Sequence, residues 1–353
     1  MANSDMWTEL VEPVELTGYA RARLEDYERQ QNGSLSSYLP NELLNDIVAR
    51  FEVGGTGLQP VAEYLSYDTE TPLASLPGSQ RVTIELPKLG MKMRVSEYEQ
   101  LRARGDLSNV VLRTSVERIT ERLVDAISDR LEYERGYAIQ NAALLIDDET
   151  GFKQSGNWGR SASHQVVASD FWSDVTNADP IEDLIGWRDQ YVATNGFGPG
   201  SILTSTRVLT TLQRHPSLRV LSSSLAGAPQ IVTVDAVSNA LAAYGLPPIT
   251  VYDRQVNFKG TVQKVLAPEY LFMLPTPGGE VGGVRLGATY WGTTLEAGEP
   301  EYGIGELDRP GIVVGTWKTR DPIAVWVHSS AIGMAALGDA NLTLRAQVLS
   351  QGS

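Results

Sequence analysis

The sequence contains no cysteine among its 353 residues. A disulfide framework, a cysteine-ligated zinc or iron–sulfur site and a thiol nucleophile are therefore excluded. Histidine is scarce as well, and the three residues His164, His215 and His328 disfavour a multi-histidine metal site. The sequence also lacks an apolar run of about 18 residues, the length that crosses a bilayer. Its N-terminus is acidic where a secretory signal would be basic and then apolar.

Basic residues are in deficit. The 29 Lys and Arg residues stand against 43 Asp and Glu residues, which gives a net charge of −14. This balance disfavours autonomous nucleic-acid binding, which requires a basic face, but leaves open a protein that encloses nucleic acid. The hydrophobic content of 42% is close to the globular average, and the length is that of about two domains. We expect a protein that is made and kept in a cytoplasm.

The first 52 residues are predicted to form a polar arm. They hold ten acidic and four basic residues. Apolar residues recur at helical spacing over 15–31, before the helix-terminating Asn32-Gly33, which predicts a short amphipathic helix. The residues that follow are too polar and too rich in turn formers to build a domain, so the arm is expected to dock on another surface.

An extended hairpin is predicted within 53–105. Residues 81–98 alternate apolar and polar side chains, with an interruption at 87–90, and a tip rich in Pro, Gly and Ser lies at 72–80. If 81–98 stays extended, it reaches on the order of 60 Å. Because an isolated two-stranded hairpin is marginal in water, this hairpin is expected to gain its stability by lying across a neighbouring chain.

Two segments carry opposite charge. Residues 81–105 contain six basic and three acidic residues, and the acidic run from Glu296 to Asp308 has no base before Arg309. Each segment is interpreted either as a solvated face or as one half of an electrostatic contact between copies of the chain. The candidates for intersubunit contacts are Arg81, Leu86, Lys88, Leu89, Lys92, Arg94, Glu296, Glu299 and Glu301.

The clearest helix is predicted over 107–145, with apolar residues in steps of three, four or seven. At 1.5 Å per residue it is about 58 Å long, so we expect an elongated, flat subunit. Opposite charges at helical spacing, such as Glu132 and Arg135, are expected to contribute a few tenths of a kcal/mol each. In the second half, short strands and helices alternate irregularly, which favours an α+β fold over a doubly wound sheet.

Chemical motifs are weak throughout. The glycine-rich stretch 278–283 lacks the Lys-Ser/Thr of a phosphate-binding loop. The acidic triplet 147–149 lacks EF-hand spacing, and His328-Ser329-Ser330 lacks a glycine elbow and an orienting acid. We therefore predict no catalytic residue, no cofactor and no metal ion, and interpret the chain as an assembly subunit. A hydrolase that uses His328 and a nearby serine is the alternative outside the structural class.

The order of these parts resembles the tailed-phage major capsid proteins of the HK-97-like fold, specifically the lambda-type capsid protein E family. The resemblance spans about 36–350. It is carried by Tyr38-Leu39-Pro40-Asn41 before Val48-Ala49-Arg50-Phe51, the hairpin with its tip at 72–80, the helix 107–145, Ile249-Thr250-Val251-Tyr252-Asp253, Tyr270-Leu271-Phe272-Met273-Leu274-Pro275, and the closing stretch from Gly311-Ile312-Val313-Val314 through Asp321-Pro322 to Asn341 and Val348.

The resemblance implies a division of the chain into named parts. These are an N-terminal arm (1–52), an extended loop or E-loop (53–105), a P-domain with a spine helix (106–170), an A-domain (171–255), return strands of the P-domain (256–320) and a C-terminal A-domain segment (321–353).

The resemblance also implies partners and a location. Copies of the chain would assemble as hexamers and pentamers into an icosahedral head that encloses double-stranded DNA without sequence-specific binding. A scaffolding protein, a portal and a decoration protein are implied partners, and a separate chain is expected to supply the scaffold because no long N-terminal extension is present. The protein would be located in the virion after assembly in the host cytoplasm, with no membrane contact. An encapsulin-like compartment that houses a cargo enzyme is the alternative with the same fold.

Overall fold

The computed structural model describes residues 5–30, 34–54, 79–102, 108–147, 152–222, 232–258, 260–279, 285–320 and 323–351. Within these residues the helices are α1 (Pro13–Gln30), α2 (Glu97–Arg102), α3 (Ser108–Asn141), α4 (Pro180–Asn195), α5 (Thr206–Arg214), α6 (Pro216–Ser222), α7 (Val234–Ala243) and α8 (Leu295–Gly298). The strands are β1 (Asp5–Met6), β2 (Asn41–Leu43), β3 (Val48–Gly54), β4 (Ser79–Glu85), β5 (Lys88–Val95), β6 (Ala143–Asp147), β7 (Lys153–Asn157), β8 (Gln165–Val167), β9 (Ser201–Thr204), β10 (Ile249–Val251), β11 (Gln255–Phe258), β12 (Thr261–Lys264), β13 (Tyr270–Leu274), β14 (Gly287–Gly292), β15 (Val313–Arg320), β16 (Ile323–Leu337) and β17 (Leu344–Gln347).

Two sheets form the body of the subunit. The six-stranded sheet has the order β1-β15-β16-β14-β2, and β5 also pairs with β16. The first half of β16 lies between β15 and β5, and its second half pairs with β14. The five-stranded sheet has the order β10-β9-β13-β17-β8. Three two-stranded pairs, β3–β4, β6–β7 and β11–β12, complete an α+β architecture.

The apolar core consists of three large clusters, and α3 contributes residues to two of them. One cluster lies between α1, the N-terminal half of α3 and the six-stranded sheet. A second fills the space between the five-stranded sheet and helices α4 to α7. A third joins the C-terminal half of α3 to the second half of β16 and to the other face of the five-stranded sheet. Helix α3 is therefore the element that both sheets share.

The sheets cut across the segments predicted from the sequence. Strands β16 and β17 both fall in the predicted segment 321–353, but they lie in different sheets. Strand β13, predicted among the return strands 256–320, pairs with β9 and β17 instead of with the six-stranded sheet. Alternating side chains reveal that a strand forms, whereas its partner is chosen by contacts with residues far away in the sequence.

Helix α3 is the predicted long helix, but it ends earlier than predicted. Its 34 residues correspond to about 51 Å. Ala142 follows it with a positive φ of 48°, the left-handed conformation common at helix C-termini, and β6 begins at the next residue. Leu145, which the helical pattern assigned to the apolar face, is a strand residue with 57% of its surface exposed.

Two arginines hold the C-terminal end of α3. Arg160 is buried and donates to the carbonyls of Ile139 and Gln140, and also to Thr343 Oγ1 at 2.8 Å. Arg345 Nη1 donates to the Gln140 carbonyl at 3.2 Å. Because a helix C-terminus carries partial negative charge, these guanidinium groups stabilise the helix end. They also tie it to the chain around β17.

A buried ionic network surrounds the middle of α3. The side chains of Glu132 and Arg135 are fully buried. Arg135 donates from Nη1 to Glu28 Oε1 at 2.7 Å and to Glu132 Oε2 at 3.1 Å. It donates from Nη2 to Asn41 Oδ1 at 2.7 Å and from Nε to Thr289 Oγ1 at 2.8 Å. The guanidinium group thus connects α1, β2 and β14 to α3.

The Glu132 carboxylate is equally well bonded. Its Oε1 accepts from the Leu35 backbone N–H and from the Tyr252 hydroxyl, both at 2.7 Å, and its Oε2 accepts from Ser34 Oγ at 3.1 Å. Burial and the adjacent carboxylate raise the pKa of Tyr252, which keeps this hydroxyl protonated as a donor. The expected contribution of a few tenths of a kcal/mol applies to pairs on an exposed helix face, so it does not describe Glu132 and Arg135, because neither side chain contacts solvent.

The substitution Glu132→Gln is expected to lower the free energy of unfolding by about 3 kcal/mol, because it removes the buried negative charge that faces both Arg135 and Arg254 and leaves Arg135 paired with Glu28 alone among the described residues. The measurement is urea unfolding of the unassembled subunit. Glu25→Gln is the matched control, since the Glu25 side chain is 75% exposed, and it should change the free energy by less than about 0.5 kcal/mol. Equal effects of the two substitutions would contradict the stabilising role of the network.

Candidate intersubunit surfaces

Strands β3 and β4 form a two-stranded antiparallel arm. The register runs from Val48 opposite Glu85 to Gly54 opposite Ser79. This arm corresponds to the base of the predicted hairpin, while residues 55–78, which include most of the predicted tip, lie outside the described residues. The condition under which 81–98 would reach about 60 Å is not met, because β5 leaves the arm and pairs with β16 of its own chain.

Aromatic stacking anchors the base of the arm. The Phe51 ring lies 5.4 Å from the Tyr290 ring and 5.8 Å from the Trp158 ring, measured between centroids. Ala49 of β3 and Ile84 of β4 lie opposite each other in the register and are buried. The backbone N–H of Leu86 donates to the Ile47 carbonyl at 2.8 Å. The direction in which the arm leaves the subunit is therefore fixed by the core.

The predicted contact residues between 81 and 94 divide into exposed basic residues and leucines that are partly or fully buried. Arg81 on β4 and Lys88, Lys92 and Arg94 on β5 are exposed. Leu89 is half-buried against the apolar cluster around α3. Leu86 was expected at an intersubunit contact, but it lies in the core of its own chain with 4% of its surface exposed. The alternation of Val82, Ile84 and Leu86 with polar residues thus marks a side of the strand that is covered within the chain.

The predicted acidic residues lie between β14 and β15. Glu299 and Glu301 are exposed, and Glu296 is half-buried. Lys88 Nζ donates to Glu296 Oε1 at 2.7 Å, so one of the predicted basic–acidic contacts forms within a single chain. Although burial raises the pKa of Glu296, the hydrogen bond from Lys88 contributes to a net lowering below the usual range. This contact holds the acidic segment against β5.

The structure reveals exposed leucines that the sequence analysis overlooked. Leu295 and Leu307 are 86% and 90% exposed, the highest values for large apolar side chains among the described residues. A cleft of about 320 Å³ next to Leu295 is also lined by Ile47 and Arg309. We define the acidic–leucine surface as Leu295, Glu299, Glu301, Glu306, Leu307 and Asp308. In the sequence, the only feature that points to this surface is the presence of two isolated leucines within an otherwise acidic run.

The environment of His328 gives the hydrolase hypothesis no support. The His328 ring lies 5.2 Å from the Trp317 ring, and Ser329 Oγ donates to the Met91 carbonyl at 3.3 Å. Within the described ranges no hydrogen bond joins His328 to either neighbouring serine. The part of the chain that the structure describes holds no group of three histidine or acidic side chains able to ligate a metal ion.

No helix in the described ranges combines the length and the apolar character needed to cross a membrane.

Comparisons with known proteins give a consistent result. The family model described as phage major capsid protein E matches residues 52–348. A protein described as the capsid protein of a prophage of Escherichia coli CFT073 has a similar structure, with a TM-score of 0.64, 16% identity, and coverage of 98% of this chain and 100% of that chain. A phage-related protein from Bordetella bronchiseptica RB50 gives a TM-score of 0.60 and 15% identity, with the same coverage of 98% and 100%. No curated protein sequence matches.

Acidification is expected to destabilise the subunit through its three histidines. Burial lowers the pKa of His164, His215 and His328 below the ordinary 6.5, and Lys88 and Lys92 add to the lowering at His328 while Glu296 opposes it. Between the lowered values and 6.5 the unfolded chain binds more protons than the folded chain. The free energy of unfolding therefore falls as the pH decreases from about 7 to about 5.

The measurement is urea unfolding at several pH values in that window, which lies above the ordinary pKa values of Asp and Glu. Burial raises the pKa of Asp183, so this carboxyl contributes with the opposite sign. His164→Phe, which keeps a ring next to Tyr191, should flatten the dependence of the unfolding free energy on pH. The same slope in His164→Phe and in the unmodified chain would rule out this histidine as a contributor.

Proposed function

Because the chain belongs to the phage major capsid protein E family and has the HK-97-like α+β fold, we propose that its copies assemble as hexamers and pentamers into the icosahedral head of a tailed bacteriophage. The observation that carries this proposal is the family match over residues 52–348, which includes β4, α3, the whole five-stranded sheet and four of the six strands of the other sheet. The same match favours a phage capsid over an encapsulin-like compartment.

The sheets suggest how the subunit is organised in the shell. We assign the six-stranded sheet with α3 to the P-domain, the five-stranded sheet with α4 to α7 to the A-domain, and the β3–β4 arm to the E-loop. This assignment follows strand pairing instead of contiguous segments of sequence. An elongated helix shared by both sheets gives each subunit a rigid axis along which contacts with neighbours can be repeated.

The acidic–leucine surface is proposed to contact Arg81, Lys92 and Arg94 of a neighbouring copy. Exposed ion pairs contribute only about 0 to 1 kcal/mol each. Burying an exposed leucine contributes about 2 kcal/mol. Leu295 and Leu307 would thus supply most of the stabilisation, and the charges would set the orientation of the contact. Modest contacts of this kind become collectively strong when a closed shell repeats them many times.

The shell is proposed to enclose double-stranded DNA without sequence-specific binding and without catalysis. A net charge of −14 means that confinement and small cations, more than protein charge, would balance the phosphates. A scaffolding protein, a portal and a decoration protein are the further partners proposed for assembly in the host cytoplasm.

Expression of the chain alone and with candidate scaffold proteins tests the assembly function directly. Negative-stain electron microscopy and light scattering should detect closed shells or capsomer rings in at least one preparation. A monodisperse monomer in every preparation would contradict the assignment. A co-purifying cargo enzyme inside nucleic-acid-free shells would favour the encapsulin-like alternative.

The charge contact is tested by reversal and rescue. The double variants Glu299→Lys/Glu301→Lys and Lys92→Glu/Arg94→Glu should each lower the yield of shells, because like charges would then face each other. Combining all four substitutions should restore the yield. Glu25→Lys, at a similarly exposed glutamate on α1, is the control and should leave assembly unchanged. Normal yields from both double variants would show that these surfaces do not meet.

A further inference from the structure

The six-stranded sheet has one face that its own chain covers only in part. Val325 and Val327 of β16 lie in the buried cluster against α1 and α3. Because side chains alternate along a strand, Trp326 lies on the opposite face. Trp326 is partly exposed and packs against none of the apolar clusters that the described residues form. This face of the sheet therefore retains apolar surface that is available to another molecule.

A second tryptophan lies beside Trp326 on the same face. Trp317 of β15 is directly opposite Trp326 in the strand register, and directly paired residues share a face of the sheet. The Trp317 ring lies 6.5 Å from the Tyr302 ring, measured between centroids. Trp326 Nε1 donates to Thr319 Oγ1 at 3.3 Å. Contacts within the chain thus hold both indoles in place before any partner binds.

Two basic side chains accompany Trp326. Arg94 of β5 is directly opposite it in the register, and Lys92 Nζ lies 5.1 Å from the centre of its ring. Both basic residues are exposed, and neither has an ion-pair partner within the described part of the chain. We define the tryptophan face as Trp317, Trp326, Lys92 and Arg94. A segment that carries an apolar side chain between two acids would complement this face.

Residues 306–308, with the sequence Glu-Leu-Asp, form such a segment. They make one turn of 3-10 helix, in which successive side chains point in directions about 120° apart. The two acids therefore flank Leu307, which is 90% exposed. Leu295 lacks this arrangement, because its acidic neighbour Glu296 already pairs with Lys88 at 2.7 Å. Of the two exposed leucines, Leu307 is the one that matches the tryptophan face.

The two complementary surfaces adjoin each other in one subunit. Tyr302, which contacts Trp317, lies in the same connection between β14 and β15 as residues 306–308. Surfaces that adjoin on one subunit can meet across a two-fold axis, where each copy both contributes a segment and receives one. Such a contact is made twice for each pair of copies, so a modest contact is reinforced.

We propose that Leu307 of one copy packs on Trp317 and Trp326 of a second copy, and that the second copy returns the same contact across a two-fold axis. The acids on either side of the leucine lie next to Lys92 and Arg94. The proposal rests on the proposed function, because it requires that copies assemble. It specifies the side chains that receive the acidic–leucine surface and the symmetry of the contact.

Cysteine cross-linking tests this contact without background, because the chain has no cysteine. Arg94→Cys is combined with Asp308→Cys, which leaves Leu307 and both tryptophans intact, and assembled shells are oxidised. A denaturing gel should show linked dimers and no larger products, because a reciprocal contact joins copies in pairs. The control combines Arg94→Cys with Leu295→Cys and should give no linked product. Absence of dimers, or a ladder of larger products, would overturn the proposal.

Substitution of Trp326 provides the second test. Trp326→Ala is expected to lower the yield of shells about tenfold, because it removes aromatic surface that buries the leucine of the neighbouring copy. Trp326→Phe keeps an aromatic ring and should retain most of the yield. Urea unfolding of the unassembled variants should give similar midpoints, since Trp326 packs in none of the described apolar clusters. Equal yields from Trp326→Ala and the unmodified chain would contradict the proposed contact.

Failure of this contact and failure of the proposed function give different results. If the unmodified chain forms shells but the paired cysteines give no dimers, the contact is absent while the capsid function stands. If the unmodified chain forms no shells or rings, the proposed function itself fails.

Discussion

The buried ion pair between Glu132 and Arg135 is the interaction on which the rest of the structure depends. Removing two charges from water is costly, and the cost is offset only when every remaining donor and acceptor is satisfied. Here that requires Glu28 of α1, residues 34–41, Thr289 of β14 and Tyr252 to be in place at the same time. The network therefore couples segments that are distant in the sequence, and a partly assembled arrangement would leave a charge unpaired inside the protein.

This coupling determines what the subunit presents to its neighbours. Residues 34–41 lead directly into β2 and β3, so the same contacts that satisfy Glu132 set the origin of the arm. Phe51 then fixes the arm base against Tyr290 and Trp158. The Lys88–Glu296 contact holds the acidic–leucine surface beside β5. A subunit that must repeat its contacts around a closed shell needs such rigid placement, because small errors in angle accumulate with each copy.

Local patterns in the sequence identify the helices and strands better than they identify the partners of those elements. Helical spacing located α3, yet the predicted helix extended past Asn141 because an apolar residue of β6, Leu145, keeps the helical period. Alternation located β4 and β5, but Leu86, expected at an intersubunit contact, lies in the core of its own chain. Opposite charges at helical spacing identified Glu132 and Arg135 as neighbours, but the spacing holds no information on burial, so their energetic role was underestimated. In the sequence, Leu295 and Leu307 stand out only as isolated apolar residues in an acidic run, a pattern that holds no information on exposure.

The sequence by itself determined the class of the protein: no thiol chemistry, an acidic and cysteine-free chain, a long helix, an extended hairpin, and an order of parts that resembles phage capsid proteins. These properties follow from composition and from local periodicity, which depend on neighbouring residues alone. Only the tertiary structure decided that β5 joins β16, that β16 and β17 separate into two sheets, and that the central ion pair of α3 is buried. Each of these outcomes depends on which distant groups can satisfy a buried charge, cover an apolar face or complete a strand edge, and that choice is made when the whole chain folds.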